Sequence, residues 1–107
     1  MLISQYQVVI VNLEPTIGSE IKKTRPCVVI SPNEMNKHLN TIVIAPLTSS
    51  IKEYPTRIPI NFNNKASCIA LDQIRTIDKS RVVKTFTKIS DSEIQNIKLV
   101  IQETYVD

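Results

Sequence analysis

Residues 81–105, RVVKTFTKISDSEIQNIKLVIQETY, change hydrophobic period part-way along, and that change divides the chain. Arg81 to Thr87 is rich in β-branched and aromatic residues, the composition of a strand. From Ser90 onward the apolar positions are Ile94, Ile97, Val100, Ile101 and Tyr105, which recur on one helical face. Ser90 stands three residues before Glu93, a capping-box spacing in which each side chain accepts from the other's backbone N–H. The spacing predicts a helix over 91–105, entered directly from a strand.

Everything N-terminal to that helix keeps the strand composition. Asp78-Lys79-Ser80 is a tight turn, and Cys68 to Ile77 before it is a further strand candidate. Asn63-Asn64-Lys65 is a turn, and Thr56 to Phe62 alternates polar and apolar residues, as a half-exposed strand does. Thr41 to Leu47 is β-branched, with Pro46 pointing to a sheet edge or a bulge near its end. Ser31-Pro32-Asn33 is turn chemistry, followed by a single helical turn over Glu34 to His38. Cys27 to Ile30 is a short buried strand opened by Arg25-Pro26, the stretch Thr16 to Thr24 is a loop holding the only glycine, and Tyr6 to Leu13 is a strand stopped at Glu14-Pro15. Five or six short strands and one terminal helix predict a mainly β fold with helices. The expected form is a strongly bent antiparallel sheet or partly open β-barrel with a C-terminal α-helix over one face or end. At 107 residues the expectation is a single domain, 1–107.

Composition narrows the class. With 42% hydrophobic residues, 21% charged and one glycine, the chain is neither disordered nor low-complexity. Val8 to Leu13 is interrupted by Asn12 and has no basic region before it, so it is neither a signal segment nor a membrane span, and a cytoplasmic protein without membrane partners is expected. Cys27 and Cys68 have no CxxC spacing and no cluster of histidines, which argues for small buried hydrophobes over zinc ligands or redox thiols. The net charge of +3 is unevenly spread. Residues 1–90 hold 12 of the 13 Lys and Arg and 6 of the 10 Asp and Glu, a net of +6, whereas 91–107 hold one Lys and four acids, a net of −3. Such a distribution suits a polyanionic partner, and equally a plain solvated surface.

Familiar catalytic constellations are missing from the sequence. His38, the lone histidine, lies in a polar turn with no partner of recognisable spacing, and reads as an exposed loop residue. There is no Gly-rich phosphate loop and no HExxH, so neither a nucleotide-dependent enzyme nor a metallohydrolase is expected, and no metal or cofactor. What remains is Arg25 before a buried strand, Thr48-Ser49-Ser50 at the end of another, and Gln73 and Arg75 within an apolar stretch. Two readings are open for these groups. They satisfy loop carbonyls or a carboxylate such as Glu20 or Asp72, or they hold a phosphodiester, for which a guanidinium fork and hydroxyl donors are suited.

Four blocks of this sequence resemble the MazF/PemK toxins of toxin–antitoxin modules: NLEPTIGSE at 12–20, KKTRPCVVISP at 22–32, APLTS at 45–49 and LDQIRTIDKSR at 71–81, in that order and spacing. The resemblance covers nearly the whole chain. It implies an SH3-like β-barrel, a homodimer, and a metal-independent endoribonuclease that cuts single-stranded RNA at short sequences, leaving 2′,3′-cyclic phosphate and 5′-OH ends and stopping translation. The nucleophile is then the substrate's own 2′-OH, consistent with the lack of a catalytic Ser, Cys or metal site. Position by position, the resemblance makes Arg25 and Thr48 the catalytic pair and gives RNA contacts to Gly18, Ser19, Glu20, Ser49, Gln73 and Arg75. Asp72 is left between acid–base work and a structural role. The chain departs from some members that carry a histidine at the place of Ser19 or an arginine at the place of Ala70. A cognate antitoxin with a flexible acidic segment is the implied protein partner. Two other functions compete: a catalytically silent barrel that binds nucleic acid or antitoxin, separable by an RNA cleavage assay, and a gyrase-poisoning toxin of the related fold, separable by a supercoiling assay.

Overall fold

The computed structural model describes residues 2–12 and 24–106. In chain order the elements are β1 (Gln7–Asn12), β2 (Thr24–Val29), α1 (Asn33–His38), β3 (Thr41–Thr48), β4 (Arg57–Phe62), β5 (Lys65–Ala70), a 3-10 turn (Leu71–Gln73), β6 (Arg75–Asp78), a second 3-10 turn (Lys79–Arg81), β7 (Val82–Lys88) and α2 (Asp91–Tyr105). All strand pairings are antiparallel, in the order β4-β5-β3-β2-β1-β7, with β6 also on β3. The result is the half-open barrel expected, though of seven strands where five or six were read, with β4 and β7 as its two ends.

β3 organises this sheet. Its side chains alternate across the sheet, so Ile42 and Ile44 enter one apolar cluster while Ala45 and Leu47 enter the other. The first cluster includes Val9, Val11, Cys27, Val29 and Ile77; the second holds Val28, Ile58, Ile69 and Leu71 and is covered by Ile97 of α2, which is fully buried. Burying such side chains contributes roughly 1.5–3 kcal/mol each. The helix begins as its spacing predicts: the Glu93 N–H donates to Ser90 Oγ at 3.2 Å, and the Ser90 N–H to Glu93 Oε1 at 2.9 Å. At its far end the Tyr105 hydroxyl donates to the Leu71 carbonyl at 2.7 Å.

Two expectations need correction. Residues 68–77 are not one strand. β5 pairs with the end of β3 (Leu47↔Ile69, Thr48↔Cys68) and β6 with its beginning (Thr41↔Asp78 to Ile44↔Arg75), and between them the chain leaves the ladder at Leu71–Gln73. There Leu71 turns fully into the core while its N–H donates to the Thr56 carbonyl. Gln73 and Arg75 are consequently exposed rather than set within an apolar strand. Of the two alternatives for Pro46, an edge or a bulge, the edge does not hold, for β3 has neighbours on both sides. The Ile30 N–H donates to Val43 O, and ladder alternation then points position 46 away from β2. On that side β6 has ended at Ile44 and β5 begins at Leu47, so the missing N–H falls in the gap between two partners.

Turn chemistry behaves as read. Asn63 and Asn64 take left-handed φ values of 52° and 61° between β4 and β5, the geometry of a two-residue hairpin that asparagine tolerates. Tyr6 also has a positive φ, 67°, and is held there by its N–H to Val29 O and by Ile89 N–H to its own carbonyl. Among the described residues no helix is long and apolar enough to cross a membrane.

Candidate active site

Arg25 is the second residue of β2 and Thr48 the last of β3. The register Cys27↔Pro46, continued two residues along the antiparallel pair, sets Arg25 beside Thr48. Both line a cleft of about 330 Å³ whose walls also include Ser49, Asn63, Lys65 and Ser67. The β4–β5 hairpin brings Lys65 there, because β5 runs alongside the end of β3.

The chemistry of the cleft follows from these side chains. Arg25 is exposed, and among the described residues its guanidinium has no acceptor within hydrogen-bond distance. Thr48 Oγ1 accepts from the Ser50 N–H at 3.1 Å, and its own hydrogen has no acceptor among the described residues. No carboxylate or imidazole is among the described residues that line the cleft, whereas Arg25 and Lys65 are cations. An anion with several oxygens, such as a phosphodiester, suits this combination of a fork, a point charge and hydroxyl donors. Nearby Cys27 is fully buried, and burial pushes its thiol up to about 12 against the opposing fields of Arg25 and Arg75. It is therefore a neutral, inert thiol at physiological pH. Cys68 is likewise buried and free.

Of the residues singled out in the sequence, the cleft unites Arg25, Thr48 and Ser49. Gln73, closing the 3-10 turn, and Arg75, opening β6, are exposed and lie outside it. Gly18, Ser19 and Glu20 fall outside the described residues. Asp72 is engaged elsewhere: Arg57 Nε donates to Oδ1 at 2.8 Å, Arg57 Nη2 to Oδ2 at 3.1 Å, and Thr56 Oγ1 to Oδ1 at 3.1 Å. The Arg57 hydrogen bonds hold the Asp72 carboxyl below the usual carboxylate range. His38 is exposed and faces Glu34 at 3.6 Å, as its turn position suggests. Lys65, Asn63 and Ser67 were not foreseen. A lysine after Asn-Asn signals only a turn, and its place in the cleft that Thr48 lines depends on the pairing of β5 with β3.

Comparison with known proteins agrees with this arrangement. A family model described as a PemK-like, MazF-like toxin of type II toxin-antitoxin systems matches residues 4–105. An endoribonuclease MazF of Staphylococcus saprophyticus is 34% identical over 100 residues, covering 88% of this chain and 83% of that protein. The fold is shared with a MazE-MazF crystal structure from Deinococcus radiodurans at a TM-score of 0.82, with 21% identity over 96% of this chain and 95% of that one. It is shared also with a mycobacterial endoribonuclease solved with its cognate antitoxin, at a TM-score of 0.78, with 18% identity over 94% of this chain and 91% of that one. With its strand order, its terminal helix and nearly its whole length matched, this chain belongs to the PemK-like, MazF-like toxin family of type II toxin-antitoxin systems.

Proposed function

We propose that this chain is the endoribonuclease toxin of a toxin–antitoxin module, acting in the cytoplasm on single-stranded messenger RNA and so stopping translation. The observation that carries the reading is the meeting of Arg25 and Thr48 in one cationic cleft, built from two neighbouring strands. In the reaction the ribose 2′-oxygen loses its proton and bonds to phosphorus, while the bond from phosphorus to the 5′-oxygen breaks and that oxygen gains a proton. The products are a 2′,3′-cyclic phosphate and a 5′-OH. Arg25 and Thr48 are the catalytic residues: the guanidinium neutralises the charge that accumulates on the non-bridging oxygens of the pentacoordinate phosphate, and the Thr48 hydroxyl donates to one of them. A guanidinium does not give up its proton at neutral pH, so Arg25 is a stabiliser of charge and not the base. DNA is spared because it lacks the 2′-OH.

Ser49 and Lys65 hold flanking phosphate, and Gln73, Arg75 and the Gly18-Ser19-Glu20 stretch contact the RNA beyond the reacting centre. Asp72 is structural, since both of its oxygens are committed to Arg57. The working unit is a homodimer, readable as its mass at micromolar concentration. Its inhibitor is an antitoxin whose acidic segment competes with RNA for the positive surface, readable as displacement of a non-cleavable RNA.

Incubation of the protein with mixed-sequence single-stranded RNA in EDTA, followed by mapping of the ends, tests the reaction. Cleavage with 2′,3′-cyclic phosphate termini is expected. Loss of cleavage on chelation with recovery on adding a divalent ion, or ends of another kind, would refute it.

A further inference from the structure

The barrel is open between its two terminal strands, β4 and β7, and this seam forms a second cleft of about 310 Å³ beside the start of α2. Phe62, ending β4, meets Phe86 of β7 across it, with ring centroids 5.1 Å apart and planes at 89°. Both rings are half-buried against the core under α2, so each has a packing role. That role does not account for a second property: Phe62 and Asn63 line both this cleft and the Arg25–Thr48 cleft. The two clefts are therefore neighbours with one aromatic wall in common.

The seam is furnished for a nucleotide. Asn61 and Asn63 bring amides able both to donate and to accept. Lys88 lines the cleft, and Lys84 Nζ stands 5.0 Å from the Phe86 ring centroid. The one carboxylate among the described lining residues, Glu93, has Oε1 occupied by the backbone N–H and hydroxyl of Ser90, both at 2.9 Å. Its volume is at the low end of small-molecule sites, roughly 300–1,000 Å³.

We propose that this seam is a nucleobase subsite. In a single-stranded RNA whose scissile phosphate lies at Arg25 and Thr48, the base of a neighbouring nucleotide leaves the strand and stacks on Phe62. Asn61 and Asn63 meet its edge, and Lys88 neutralises the adjoining phosphate. The inference rests on the ribonuclease reading above and adds to it a residue that selects sequence. A peptide could instead extend the open edges of β4 or β7, but backbone pairing has no use for the shared aromatic wall or for continuity with the phosphate cleft.

The chain contains no tryptophan, so Phe62→Trp installs a single indole at the subsite. The probe is an oligonucleotide carrying the cleavage site mapped with the unaltered protein, made non-cleavable by a 2′-deoxy sugar at the scissile nucleotide. Quenching of the indole on titration is expected. An abasic residue at one flanking position should abolish the quenching and weaken binding roughly tenfold, in line with measured base–aromatic stacking. Phe62→Leu keeps apolar volume in the core and should raise KM about tenfold, with a much smaller change in kcat and with loss of base preference at that position. Quenching indifferent to every abasic substitution, or a folded Phe62→Leu protein with unchanged KM and base preference, overturns the subsite while cleavage by the unaltered protein leaves the ribonuclease reading standing. If the unaltered protein cuts no RNA, that reading falls and the subsite with it. Should Phe62→Leu fail to fold, the titration of Phe62→Trp decides alone. Weakened binding of an acidic antitoxin peptide with RNA binding intact would assign the seam to a peptide and also overturn the proposal.

Discussion

Arg25 and Arg57 open their strands in similar ways, each at or near the first residue of a six-residue strand with a proline one or two positions later. Their surroundings are opposite. The Arg57 side chain is only 9% exposed, forked onto Asp72 and 5.6 Å from the Tyr54 ring centroid. Arg25 projects into an open cleft with a second cation and no carboxylate among the described lining residues. A guanidinium with both arms satisfied fixes chain to chain, here the start of β4 to the turn after β5. Arg25 meets no such acceptor among the described residues, and there it faces the cleft. Residue type does not separate the two; among the described residues, the placement of one aspartate does.

The largest expected effect tests the open member of this pair. Arg25→Ala, and likewise Thr48→Ala, should lower the cleavage rate by on the order of 10²-fold, the scale of losing one donor to developing charge, while the melting temperature stays near its original value. Near-normal turnover by the folded variants would erase the distinction between the arginines. The next effect concerns the closed member. Arg57→Ala should lower the melting temperature by on the order of a few degrees and leave cleavage within a few-fold. Were it to abolish cleavage without loss of stability, Arg57 would belong to the chemistry after all.

The smallest effect is a pH dependence. The folded carboxyl of Asp72 is depressed, so its stabilisation is fully present above the unfolded value and is lost as pH falls through the folded one. Thermal melts of the original protein and of Asp72→Asn should therefore differ at neutral pH, begin to converge below about pH 4, and coincide only below the depressed folded value. A constant difference down to strong acid would show that the ion pair is not its source.

The sequence discloses the parts of this molecule that are determined locally. α2 spans the predicted residues because its cap, Ser90 and Glu93, and its apolar face all lie within it. β1, β3, β4 and β7 lie within a residue or two of their expected positions. The break at Leu71 was not legible, since it depends on the Thr56 carbonyl and the Tyr105 hydroxyl, both remote in sequence. The edge reading of Pro46 failed for a related reason: a single-strand rule contains no information about a neighbour that changes half-way along. At the site, Arg25, Thr48 and Ser49 came from their family pattern, and the strand register supplied their proximity. Lys65 escaped notice because nothing near it in sequence tells which strand its hairpin will lie against.

The pairing of β1 with β7 sets a schedule for synthesis. Gln7 pairs with Lys88, so one side of the first strand waits for a partner made 81 residues later. At about 5–20 residues per second, that interval is roughly 4–16 s on the ribosome. During it Val8, Val9 and Val11 belong to a strand with an unpaired border, the kind of border that recruits other chains. Slow translation between codons 12 and 82 should accordingly favour aggregation of nascent chains, and a fast passage to β7 should favour recovery of folded protein.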